Sequence, residues 1–271
     1  LESVAKIDTI SNQPRRQQDR SQPLEFMAAD QPQEDWACFE NEPDTDFSLP
    51  ANELWIRQQL QGWQQQASET RHRPLVIAGN EVPDAECQVA WDPSCDGEQA
   101  GTYAVASEED VTRAISCARE DPTDWRETTA AQRSELLRQV AHQLRVARGE
   151  LITVALAEAG KTVAEADPEV SEAIDFVEFY RRCAVSYEQM PGINTRGLGV
   201  VVVASPWNFP IAIPCGGIAA ALASGNTVIL KPASDTALTA HRLCQCFWAA
   251  GVPPEALQLV PGSGATVGER L

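Results

Sequence analysis

The chain has 271 residues, with 21 basic side chains against 39 acidic ones and a net charge of −18, a length that one large domain or two small ones fill. So acidic a chain lacks the basic face that DNA, RNA or an anionic membrane surface demands, and no stretch approaches the roughly 18 uninterrupted apolar residues of a spanning helix. An apolar fraction of 43% is enough for a packed core and excludes global disorder.

The opening stretch to about Asp46 is polar, rich in Gln, Asp, Glu and Pro, and carries Arg15-Arg16. It reads as a linker or as a strap lying on something else. Residues 50–66 predict a short amphipathic helix, with Leu54, Ile56, Leu60 and Trp63 at spacings that allow one face. Residues 74–105 read as β-rich: Leu75-Val76-Ile77 is an apolar run ended by the turn pair Gly79-Asn80, and Val89-Ala90-Trp91 and Thr102-Tyr103-Ala104-Val105 come next. Ser107 with Asp110 opens a helix carrying Val111, Ala114, Ile115 and Ala118. Three more helices are expected at about 129–148, at 151–159 ending on Gly160, and at about 168–190 with Val170, Ile174, Val177 and Tyr180 along one face.

The last third changes character. Gly199-Val200-Val201-Val202-Val203-Ala204 is a continuous β-branched run, expected as a strand buried on both faces. Residues 211–224 read as a small-residue helix, 227–230 as a second buried strand, 237–250 as a helix and 257–260 as a third strand. Strand, helix, strand, helix, strand is a parallel α/β sheet, and such sheets bind ligands at the carboxyl ends of their strands. Those ends carry Ser205-Pro206-Trp207-Asn208, Lys231 and the glycines of Gly262-Ser263-Gly264-Ala265-Thr266-Val267-Gly268.

Each end has a plain reading beside the functional one. A glycine-rich turn before a helix offers free N–H groups to a phosphate, yet strand-to-helix turns need glycine for steric reasons too, and GxGxxxG is not the usual dinucleotide spacing. Lys231 can reach ribose hydroxyls or a phosphate, or be a solvated lysine. The Asn208 amide can donate to an oxyanion or make a turn bond. Eight cysteines are scattered without a CxxC pair, and His72, His142 and His241 supply no metal-ligand spacing. No metal site is expected, and the thiols read as reduced ones of a cytoplasmic protein.

Taken together, 205–210 (Ser-Pro-Trp-Asn-Phe-Pro), 216–226 (Gly-Gly-Ile-Ala-Ala-Ala-Leu-Ala-Ser-Gly-Asn), Lys231-Pro232-Ala233 and 264–268 (Gly-Ala-Thr-Val-Gly) closely resemble the cofactor-binding half of the aldehyde dehydrogenase superfamily. The resemblance covers about 74–271. It implies an α/β fold with the Rossmann-like parallel sheet of that superfamily's cofactor-binding domain, incomplete here. Residues 1–70 are then a linker and N-terminal extension, irregular and helical, and 71–271 a partial domain with its βαβαβ unit at 199–271. Residues 41–52 look like the segment leading into the L-glutamate γ-semialdehyde branch of the superfamily. The stretch around 11–20 is similar to the segment just after the proline dehydrogenase domain in bifunctional proline-utilisation proteins.

The resemblance also assigns roles. Asn208 matches the catalytic asparagine that stabilises the oxyanion, Lys231 the lysine that bonds the adenosine ribose, and Ser205, Pro206 and Trp207 the wall beside the cofactor. Gly264 and Gly268 match the loop and helix start near adenine and pyrophosphate. The family's usual Glu three residues after the lysine is Ser234 here, so less repulsion meets a 2′-phosphate, and NADP is expected to be tolerated better beside NAD. The implied partners are a small aldehyde, an upstream FAD-dependent proline dehydrogenase domain and further copies of the chain. The implied reaction is oxidation of L-glutamate γ-semialdehyde to L-glutamate. A succinate-semialdehyde type of enzyme and a non-catalytic nucleotide-binding module are the alternatives. The first residue is Leu1 rather than Met, which reads as a piece of a longer chain. The family's nucleophilic cysteine and general-base glutamate match nothing before Leu271, so the chain alone is expected to be inactive. Cys215 comes after Pro214 near a helix N-terminus that could lower a thiol pKa, but the resemblance puts it in a structural helix. Cys244 and Cys246 read as fillers. Glu158, Lys161 and Glu165, around Gly160, read either as a border of the aldehyde entry or, preferably, as a solvated charged face.

Overall fold

Side-chain caps set several helix starts. Ser107 opens α2 (Glu108–Glu120) in a capping box, its hydroxyl accepting from the Asp110 amide while Asp110 accepts from the Ser107 amide. Thr129 and Gln132 do the same for α3 (Ala130–Val146). The computed structural model describes residues 39–66, 71–82, 85–192 and 194–271; Arg15-Arg16 and the 11–20 resemblance lie outside the described residues. α1 (Pro50–Gln65) begins on proline, whose fixed φ suits a first helical turn. Ile56 is buried in it, whereas Leu54 faces solvent, so the predicted four-residue apolar face is narrower than its spacing allows.

α4 (Arg148–Ala159) continues directly from α3 and ends on Gly160 in the left-handed conformation. α5 (Val163–Glu188) begins five residues before the expected start. Proline commonly opens helices, which draws a sequence reading to Pro168, but Thr162 and Glu165 form a capping box further upstream. Pro168 then sits inside the helix, at the cost of one hydrogen bond to the turn before it. Ahead of α1, residues 41–45 run across α5: the Asn41 amide and Glu42 N–H donate to Asp175, and the Thr45 N–H and hydroxyl donate to Asp167.

The strands form two sheets. A small one has the order β1 (His72–Arg73), β5 (Gln99–Ala104), β4 (Cys87–Trp91). The larger one runs β3 (Asn80–Glu81), β2 (Val76–Ile77), β8 (Leu257–Leu259), β7 (Thr227–Lys231), β6 (Val200–Ala204). β6, β7 and β8 are parallel, joined through α6 (Ala212–Ala223) and α7 (Ala237–Ala249), while β2 and β3 add an antiparallel flank. β7 is buried on both faces. Val228 and Leu230 pack with the layer of α3 to α7, and Ile229 packs with Val111, Ala114 and Ala118 of α2.

β6 departs from its expected burial. Among the described residues β7 is its one neighbour in the sheet, and Val202 is 38% exposed. The inner face of β6 is still closely packed: a Cβ on Gly217 would come within 3.0 Å of Val203, and one on Gly216 within 3.0 Å of the Phe176 ring. Glycine at those two places lets α6 approach both the strand and α5.

Candidate functional site

The carboxyl ends of the parallel strands lie side by side. Ala204 of β6 is in register with Lys231 of β7, the Ser205 N–H donates to the Lys231 carbonyl at 3.2 Å, and the Val260 N–H after β8 donates to the Leu230 carbonyl at 2.9 Å. The structure therefore brings the 205–210 turn, Lys231 and the glycine turn to one edge of the sheet.

Ser205 and Pro206 are half-buried, while Trp207 (58% exposed), Asn208 and Phe209 project outward. The Asn208 carboxamide has no partner among the described residues; its main-chain carbonyl does, accepting from Lys161 Nζ at 2.9 Å. The same ammonium lies 4.6 Å above the Phe209 ring and 2.8 Å from Glu169 Oε2. Glu169 is buried (2% exposed), and its other oxygen accepts from the Ile211 and Ala212 amides at 2.7 and 3.1 Å, where α6 begins.

Lys231 is half-buried, its amine donates to the Pro232 carbonyl at 3.2 Å, and burial lowers its pKa. The glycine turn packs on its stem: a Cβ on Gly268 would lie 3.6 Å from Lys231 Cε. A Cβ on Gly262 would run into Val267, whereas Gly264 faces open space. Where a helix was expected, residues Gly264–Gly268 form a single π turn. Ser263 accepts from the Thr266 amide, so the Gly264 and Ala265 N–H groups are the ones that take no bond among the described residues. Ser234 opens a short 3-10 turn (Ser234–Thr236) and is exposed. Its hydroxyl neighbours that of Tyr103, whose own hydroxyl donates to Gln88 at 2.9 Å.

The charged residues around Gly160 do not form a solvated face. Glu158 is buried (4% exposed) and caps α7, accepting from the Leu238 amide, the Thr239 amide and the Thr239 hydroxyl at 2.7, 2.8 and 2.7 Å. Burial pushes its pKa up to about 7. Lys161 is the half-buried partner of Glu169, and of the three only Glu165, in its capping box, is exposed. The signal was present: Leu151, Ala155 and Glu158 share the buried stripe of α4, and Ala166, Glu169 and Ala173 that of α5. Glu169 was missed altogether at the level of sequence. Cys215 is fully buried with Sγ toward the Ala173 carbonyl, and burial raises its thiol pKa well above the usual range. That opposes a thiolate. Cys244 and Cys246 are core residues, the latter pushed up to about 11 by burial.

The model of the aldehyde dehydrogenase family matches residues 83–271. A protein of Geobacillus thermodenitrificans named 1-pyrroline-5-carboxylate dehydrogenase is 37% identical over 243 residues, covering 86% of this chain and 47% of that protein. A solved 1-pyrroline-5-carboxylate dehydrogenase from Thermus with bound NAD matches with a TM-score of 0.81 and 34% identity, over 86% of this chain and 47% of that one. Proline utilization A from Bdellovibrio bacteriovorus matches with a TM-score of 0.82 and 29% identity, over 87% of this chain and 25% of that one. The chain thus spans about half the length of the curated relatives it matches, at 47%.

Proposed function

The chain belongs to the aldehyde dehydrogenase family, and on that premise we propose that the protein oxidises L-glutamate γ-semialdehyde, the open form of 1-pyrroline-5-carboxylate, to L-glutamate with NAD. The substrate is supported by relatives of 35–37% identity that bear the name 1-pyrroline-5-carboxylate dehydrogenase. The likeness to proline utilization A supports a bifunctional setting with an upstream FAD-dependent proline-oxidising domain. The observation that carries the cofactor reading is the convergence of Lys231, the Gly264–Gly268 turn and the Asn208 turn on adjacent strand ends.

The residues fit a dinucleotide. A half-buried ammonium lies against a glycine turn whose first two amides bond nothing among the described residues, and Gly264 leaves open space where a side chain would block approach. When bound, NAD supplies the hydride acceptor. Lys231 would bond the ribose hydroxyls, the Gly264 and Ala265 amides would face phosphate oxygens, and Ser205, Pro206 and Trp207 would wall the site. Asn208 would donate from its carboxamide to the oxyanion that forms when a nucleophile adds to the aldehyde carbon, a contact worth roughly 100- to 1000-fold in rate.

Calorimetric titration of NAD and NADP into this chain, with folding monitored by circular dichroism, tests the reading. Saturable binding, weakened at least about ten-fold by Lys231→Ala, is expected. Binding that is equally tight without the lysine overturns the cofactor assignment, and a folded chain that binds neither nucleotide overturns the reading that these residues hold the cofactor by themselves.

A further inference from the structure

Lys161 grips both ends of the turn that carries Asn208. Directly, its ammonium donates to the Asn208 carbonyl at 2.9 Å and covers the Phe209 ring. Indirectly, it neutralises Glu169, whose Oε1 accepts from Ile211 and Ala212. Glu169 Oε2 is buried, and its partner among the described residues is the Lys161 ammonium at 2.8 Å. Both side chains come from the helical layer, Lys161 from the link between α4 and α5 and Glu169 from α5. The turn itself contributes no side-chain cap to α6.

This arrangement has a particular consequence for Asn208. Its carboxamide is exposed and touches no hydrogen-bonding neighbour among the described residues, so its direction depends on where the backbone puts it. A donor aimed at developing charge must be held before the reaction, and a displacement of about 1 Å costs on the order of 100-fold. With the carbonyl of residue 208 and the amides of 211 and 212 tied to one buried ion pair, only the two side-chain torsions of Asn208 remain to be set.

We propose that Lys161 and Glu169 are positioning residues, whose buried ion pair fixes the backbone of residues 208–212 and thereby aims the Asn208 carboxamide at the carbonyl oxygen of a bound aldehyde. This rests on the reading of Asn208 as the oxyanion donor. The ammonium itself does not reach the reacting atoms in this role, since it is engaged by the Asn208 carbonyl and Glu169.

The test compares the wild type with Lys161→Arg, Glu169→Gln and the double variant Lys161→Met/Glu169→Gln, which removes both charges and so leaves no unpaired ion in the core. In the nitrogen-15-labelled chain, the double variant is expected to shift the Asn208 side-chain amide signals. It should also speed amide exchange at residues 211 and 212 at least about ten-fold while exchange in α3 stays unchanged. In the complete enzyme, kcat for semialdehyde oxidation is expected to fall at least about ten-fold with KM for NAD unchanged, and Lys161→Arg is expected to restore most of it. Unmoved Asn208 signals, or a loosened turn with kcat intact, overturns the proposal. Asn208→Ala is run beside them: if that variant alone keeps full kcat, the oxyanion reading fails, and this is distinguishable from failure of the positioning role.

Discussion

Glu158→Gln isolates one buried carboxylate by its pH dependence. Glu158 lies in the last turn of α4, where the helix dipole disfavours a negative charge, yet it supplies the acceptors for the start of α7. Burial dominates and raises its pKa from 4.5 to about 7, against the three donors and the nearby Arg73 charge that favour ionisation. A carboxyl whose pKa is higher folded than unfolded binds more protons in the native state between the two values. Its contribution to stability is therefore fully present below about pH 4.5 and lost as pH rises through about 7. At about 1.4 kcal/mol per unit, the loss across that window is about 3 kcal/mol.

The glutamine variant cannot ionise, so it lacks this slope. It also turns an NH2 group toward an amide donor at the start of α7, which costs about 1–3 kcal/mol at every pH. Urea unfolding monitored by tryptophan fluorescence, at constant ionic strength from about pH 4.5 to 8, reads both effects, provided the m-values of the two proteins agree. The stability advantage of the wild type over Glu158→Gln is expected to shrink by about 3 kcal/mol with rising pH and then level off. An advantage that stays constant across the range refutes the reasoning and means that the three hydrogen bonds and Arg73 keep the carboxylate ionised despite its burial.

Ser234→Glu is expected to move the ratio of NAD to NADP affinity toward NAD by at least about ten-fold, because a carboxylate would repel a 2′-phosphate; an unchanged ratio in the two titrations sinks that role for Ser234. Asp167→Ala should cost about 3–5 kcal/mol in urea unfolding, since Asp167 pairs with buried Arg148 at 2.9 Å and accepts both donors of Thr45; a loss below about 1 kcal/mol would mean that Glu42, 3.5 Å from Arg148, suffices as its counter-ion.

The features that could be read in the sequence were the local ones. The β-branched run at 200–204, the strand expected at 227–230 and the glycine that ends α4 each declare themselves within a few residues, and so does the Ser107 cap. Lys231 and the glycine turn were legible as strand ends for the same reason. The features that were not legible depend on partners far along the chain. Val76 pairs with Leu259, Glu158 caps a helix 80 residues away, and Glu169 holds an amide 42 residues away. Position on an apolar stripe could have marked both glutamates as buried, but nothing nearby says what they accept from.

Those long-range contacts share a pattern that bears on how the site is held. Neither α6 nor α7 begins with a capping side chain of its own: Ile211 and Thr236 stand at the cap positions, and neither makes a side-chain cap bond. Each is capped instead by a buried carboxylate from the helical layer, Glu169 for α6 and Glu158 for α7, set on either side of the short link that carries Lys161. Both helices come shortly after strand ends that carry the candidate site. Their starting points, and with them the placement of the Asn208 turn and of the chain beyond Lys231, are thus fixed by α4 and α5. A motif confined to 205–268 can specify which groups face a ligand. Where those groups sit is decided by two carboxylates that lie outside the motif, which is why the helical layer must be counted as part of the site's framework.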